Sequence, residues 1–123
     1  TAIKIIKKNL FIGVGTGDVQ DVFNQQYDTD KSPLLLKNRL RGHNQYLTYA
    51  VSFGLLGLCY FLFCLFNPFI KKQCYKNYNY IAFFSIFLLS MLTEDTLETQ
   101  VGISFFAFFN TLFTLSVHSK EQK

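Results

Sequence analysis

The chain has 123 residues, room for one small domain, and half of its residues are apolar while only 16% are charged. With 15 Phe and 7 Tyr but no Trp, it is not a disordered or nucleic-acid-binding tail, because such segments are charge-rich and aromatic-poor. The net charge of +4 suits nucleic acid, anionic lipid or a phosphate-bearing substrate.

The first residue is Thr1 and the pattern is already under way there, so the chain reads as a piece of a larger protein. Residues 1–12 (TAIKIIKKNLFI) put Ile3, Ile6 and Leu10 on one helical stripe, with Lys4, Lys7 and Lys8 mostly off it. This is the pattern of an amphipathic helix lying on a surface, either a bilayer or the rest of the protein. The segment lacks the apolar stretch and small-residue cleavage site of a signal peptide. GVGTGD follows, with Gly13, Gly15, Gly17 and Asp18. It is neither GxGxxG nor a Walker loop, so a tight turn is preferred to a phosphate cradle. Asp18 is then the expected N-cap of a helix through Val19–Tyr27, and residues 28–33 (DTDKSP) form a polar loop.

Residues 36–47 (LKNRLRGHNQYL) gather Arg39, Arg41, His43 and Asn44 just before a long apolar run. Guanidinium groups bind diphosphates in a bidentate manner, and an imidazole takes and gives a proton near neutral pH. If the stretch is helical, Arg39, His43 and Tyr46 share a face; if Gly42 breaks it, Arg41 can swing beside His43. The plainer reading is a helix end anchored by interfacial Arg and His.

Three apolar runs follow: 46–70, with no charged residue, then 78–93 and 101–118. About 20 helical residues cross about 30 Å of hydrocarbon, so the first run suffices, the second is short and the third is marginal but adequate. Asn67-Pro68 is the expected exit turn of the first. Three such helices in a chain this small would leave too little polar surface to cover them in water, which implies lipid. Tyr46, Tyr49, Tyr75, Tyr78 and Tyr80 crowd the run ends, where amphipathic rings favour the interface. The expected fold is an all-α integral membrane protein: a polar segment over 1–45 with short amphipathic helices, three transmembrane helices within 46–118, and a tail at 119–123. Near the spans, Lys71, Lys72, Lys76, Lys120 and Lys123 face Lys31, Lys37, Arg39 and Arg41 on the other side. That is a lean toward a cytoplasmic 71–77 loop and tail, with His43 and the 94–100 loop outside. Cys59, Cys64 and Cys74 form no CxxC and have no His at metal spacing, which argues against a disulfide framework or zinc site.

His43-Asn44, nine residues, then Gly54 resembles the His-[Asn/Ser/Gln]-x9-Gly signature of the O-antigen ligase and polymerase superfamily. GVGTGD upstream and LTEDTLETQ downstream add to the likeness, which covers nearly all of this chain and about the last third of a full enzyme. The resemblance implies a glycosyltransferase of the bacterial inner membrane. It would move a glycan from undecaprenyl diphosphate to lipid A–core, or to another glycan acceptor, in the periplasm, without cofactor or metal. By carry-over His43 is the general base, Arg41 and Arg39 clamp the diphosphate, and Asn44 orients the imidazole or binds sugar. Gly54, with Gly57, allows close helix contact near the site. Glu94 and Glu98 share a face if the last two spans run on into their loop, and Glu94 can then pair with an arginine or bind acceptor sugar; a solvated loop is the plainer reading. The family's further arginines lie upstream of this sequence, so the fragment alone cannot complete the site. Two alternatives stay open: an O-antigen polymerase or protein–glycan ligase of the same superfamily, and a non-catalytic multi-span protein.

Overall fold

The computed structural model describes residues 1–35, 38, 43–71 and 74–121. Among them the regular structure is helical, with no strand. The helices are α1 (Ala2–Lys8), α2 (Val19–Thr29), α3 (Gln45–Lys71), α4 (Tyr78–Thr93) and α5 (Gln100–Glu121), with single 3-10 turns at Cys74–Lys76 and Thr96–Glu98. The chain divides into two compact units, Thr1–Tyr60 and Phe61–Lys123. Within α3 the segment Gln45–Ile70 is long and apolar enough to cross a membrane, while Tyr78–Thr93 and Gln100–Ser116 are apolar but shorter.

The first unit is built on apolar contact between α1, α2 and the start of α3. Ile5, Val19, Phe23 and Val51 form its core, with Ala2, Ile6, Val14, Val22 and Tyr27 packed around them. The inward face of α1 therefore differs from the expected stripe: Ile5 is fully buried, whereas Ile3 and Leu10 are exposed. The reason is that α1 ends at Lys8 and beds on α2, so only about two turns exist and Leu10 lies outside the helix. A polar clip closes the outer edge. Lys4 Nζ reaches Asp30 Oδ1 at 2.7 Å, Gln26 Nε2 donates to the same oxygen at 3.0 Å, and Lys8 Nζ donates to Gln26 Oε1 at 2.8 Å. Asp18 stands at the N-cap of α2 but makes no side-chain cap bond. Its backbone (φ −99°, ψ 0°) lies outside the extended region from which a capping side chain turns back over the first turn.

The second correction concerns the long apolar run. Pro68 does not end it; the proline lies inside α3, which continues to Lys71. So close to the helix end, its missing N–H removes one rung and the chain tolerates it. The interruption is instead at Gly54, whose φ of 66° and ψ of −167° divide α3 into residues 45–53 and 55–71.

In the second unit aromatic side chains carry much of the packing. Tyr80, Phe84, Phe87 and Met91 form the buried face of α4. Phe69 and Phe84 stack at 5.3 Å between ring centroids, Phe87 and Phe106 at 4.4 Å, and Phe83 meets Phe109 at 5.8 Å. Offset and edge contacts of this kind add specificity to plain area burial. Asn77 caps α4 by accepting from the Asn79 and Tyr80 amides. Tyr80 Oη donates to Asn110 Oδ1 at 2.7 Å, tying α4 to α5 in an otherwise apolar layer.

Candidate functional site

The local geometry at Gly54 organises everything around the start of α3. In an unbroken helix the Leu55 and Leu56 amides would donate to the Val51 and Ser52 carbonyls. Here both rungs are opened and the 10–15 loop enters between them. Val14 N donates to Val51 O at 2.9 Å and Gly15 N to Ser52 O at 2.9 Å, while Leu55 N donates to Leu10 O at 2.7 Å and Leu56 N to Phe11 O at 3.4 Å. Val51 O, Ser52 O, Leu55 N and Leu56 N, four of the groups at the break, thus regain partners, as buried amides and carbonyls require. Gly54 is the site of close approach expected of it, but its neighbour is the Phe11–Ile12 backbone and not another helix.

The same bonds decide the glycine-rich segment. Gly13 (φ 76°) and Gly15 (φ 85°) take the left-handed turn conformations expected of them. Their amides and that of Val14 already donate to Asn9, Ser52 and Val51 carbonyls, so they are not presented to a phosphate.

His43 lies in a bend and is exposed, two residues before α3 begins. Asn44 is the residue that starts the helix: its Oδ1 accepts from Leu47 N at 3.0 Å and its carbonyl from Thr48 N at 2.9 Å. The expected supporting residue is therefore first of all a helix cap. The cap leaves the positive end of the α3 dipole beside His43, an arrangement that favours anions. Arg39 and Arg41 lie outside the described residues, and with them the question of which face they share with His43.

Behind this end runs a polar stripe that the sequence reading passed over. Gln45, Thr48 and Ser52 are all buried, at 0%, 7% and 4% exposure. Their spacing of three and four residues places them on one helical face, and that periodicity inside an apolar run was a signal available from the sequence. Between α1, α2 and Gly13–Val14 lies a cavity of about 480 Å³ with Lys8, Asn9, Gln26 and Thr29 among its walls.

Glu94 belongs to the second unit. It is exposed and stands at the C-cap of α4 in an extended conformation (φ −141°, ψ 152°). The 94–98 segment continues as a 3-10 turn, so Glu94 and Glu98 do not share the helical face expected of them. Asp95, not Glu94, is the buried acid of this loop, at 8% exposure. Gly102 explains the tightness of the turn: a Cβ there would collide with the Thr96 carbonyl. No group of three His, Cys, Asp or Glu able to hold a metal ion occurs among the described residues. Cys59 and Cys64 are exposed and Cys74 is buried, all as free thiols.

No family model matches the chain, and neither a curated protein nor a solved structure is detectably similar to it.

Proposed function

We propose that this chain is the C-terminal part of a membrane glycosyltransferase that transfers O-antigen glycan from undecaprenyl diphosphate to lipid A–core. In this reading α3, α4 and α5 each cross the bacterial inner membrane, and residues 1–45 face the periplasm. The observation that carries it is the exposed His43 at the capped, dipole-positive end of the longest apolar helix, directly after the Arg39-Leu40-Arg41-Gly42 sequence. An imidazole open to solvent can exchange its proton with water; one enclosed in the apolar layer could not.

The chemistry follows from that placement. The neutral imidazole of His43 accepts the proton of an acceptor sugar hydroxyl as its oxygen attacks the anomeric carbon. The bond from that carbon to the diphosphate oxygen breaks, and the electron pair leaves with undecaprenyl diphosphate. Charge grows on the departing diphosphate, so fixed cations lower the barrier by meeting it. Arg41 and Arg39 are assigned that task, since a guanidinium keeps its charge and binds two phosphate oxygens at once. Asn44 holds the helix start and thereby the position of His43. Glu94 is assigned to the acceptor, through hydrogen bonds to sugar hydroxyls.

The test is transfer of labelled glycan to lipid A–core by membranes carrying the full-length enzyme. Loss of transfer in His43→Ala and His43→Gln, with the protein still present in the membrane, supports the reading. Chain-length change with intact core attachment would assign the chain to a polymerase instead, and normal surface glycan in His43→Gln would make it a non-catalytic membrane protein.

A further inference from the structure

The loop that enters the α3 break carries an apolar tip. Leu10, Phe11 and Ile12 are 41%, 63% and 81% exposed, three consecutive large side chains with no core around them. Their backbone is bonded to Leu55 and Leu56, themselves 44% and 64% exposed. Tip and helix therefore form one continuous apolar surface. Ahead of the break the picture changes: Gln45, Thr48, Ala50, Val51 and Ser52 are all buried. Lys7 and Lys8 stand in the last turn of α1, immediately before the tip.

We infer that Leu10–Ile12 is a membrane-inserted wedge that enters the acyl-chain region of the bilayer beside Leu55 and Leu56, with Lys7 at the level of anionic headgroups. The inference rests on the membrane reading of the chain and goes beyond it in assigning a lipid contact to a loop outside the apolar runs. Two observations select lipid as the occupant. One is charge: a basic residue just ahead of an apolar tip matches the order of an anionic leaflet, headgroup outside and hydrocarbon within. The other is length. Residues 55–71 make about 17 residues of helix, or about 25 Å, close to the 16 residues of α4 and to the apolar part of α5, Gln100–Ser116. The whole Gln45–Ile70 segment, at 26 residues, is about 39 Å long and would overshoot about 30 Å of hydrocarbon by about two turns. The break at Gly54 thus makes the three apolar segments equal in reach, and the wedge lies at the boundary it creates. Backbone at that depth is more admissible where its groups are bonded within the protein, as the Leu10 and Phe11 carbonyls are to Leu55 N and Leu56 N.

The chain contains no Trp, so one introduced Trp per variant reports its own surroundings. The full chain is reconstituted in vesicles of phosphatidylethanolamine and phosphatidylglycerol with plain or brominated acyl chains. Expected is loss of most of the emission in brominated lipid for Phe11→Trp, Ile12→Trp and Leu56→Trp, and no loss for Gln20→Trp on the exposed side of α2. Quenching at Leu56→Trp without quenching at either tip position would overturn the wedge and leave the membrane reading standing. A blue-shifted but unquenched tip would also overturn it, since protein and not lipid would then cover the loop. Equal quenching at Gln20→Trp would overturn it by submerging the whole unit. Absence of quenching at every position would remove the membrane reading and the wedge together.

Discussion

Gly13 and Gly54 meet backbone to backbone. A Cβ built on Gly13 would lie 2.5 Å from Gly54 N and 2.5 Å from the Ser52 carbonyl, and one built on Gly54 would strike Phe11 and Ile12. Both residues also have positive φ, 76° and 66°. The two glycines are thus the paired condition for a loop to enter an opened helix, since any larger residue on either side would hold the two backbones apart. Around them four hydrogen bonds join the 10–15 loop to the opened helix.

Gly13→Ala and Gly54→Ala are each expected to lower stability by about 2 kcal/mol or more, combining left-handed strain with backbone collision. Gly15→Ala is the control: its φ is 85° but nothing lies within 4 Å of the added methyl, so the cost is strain alone, about 1 kcal/mol. Thermal unfolding of the three variants in detergent micelles gives the order, and equal losses at Gly13 and Gly15 would contradict the interlock.

Asn44→Ala removes the Oδ1 that holds Leu47 N and is expected to cost about 1 kcal/mol. Asn44→Asp and Asn44→Ser keep a capping oxygen and should restore most of it. If glycan transfer follows stability across this series, Asn44 acts through helix position; a loss of transfer in the capped variants would mean that its amide touches sugar or imidazole.

Tyr80→Phe deletes the 2.7 Å bond to Asn110 Oδ1 while keeping a fully buried ring. It is expected to destabilise the second unit by about 1 kcal/mol, the cost of leaving a half-buried acceptor without that donor. Combining it with Asn110→Leu should recover part of the loss in a double-mutant cycle.

The Asp30 carboxyl is held below the ordinary carboxylate range, chiefly by the hydrogen bond from Lys4. A depressed carboxylate contributes stability above its unfolded pKa, near 4, and that contribution is lost as pH falls through the lower folded value. Asp30→Asn should therefore be less stable than the parent at neutral pH, and the two should converge in acid. Because the pair is at the surface, added salt should narrow the gap as well. Denaturant titration of both proteins from neutral to acidic pH, at low and high salt, measures this.

Much of the architecture could be read from local pattern. The apolar runs at 46–70, 78–93 and 101–118 coincide closely with α3, α4 and α5, since a long uncharged stretch with few breakers has little choice but helix. The turn at Gly13 and Gly15 was likewise legible, because glycine is the residue that reaches positive φ cheaply. The capping role of Asn44 was not read from the sequence, although asparagine ahead of an apolar run is a common helix start. What composition and spacing could not specify was which glycine breaks α3, which isoleucine of α1 faces inward, and whether Glu94 and Glu98 align. The first two depend on a partner remote in the chain: the Gly54 break exists because Leu10, Phe11, Val14 and Gly15 supply hydrogen bonds from some forty residues upstream, and Ile5 is buried because α2 covers it. Periodicity reports the preference of a segment for one fold of its own backbone; the satisfaction of opened backbone groups by another segment is a property of two sequences meeting, and it is visible only once they have met.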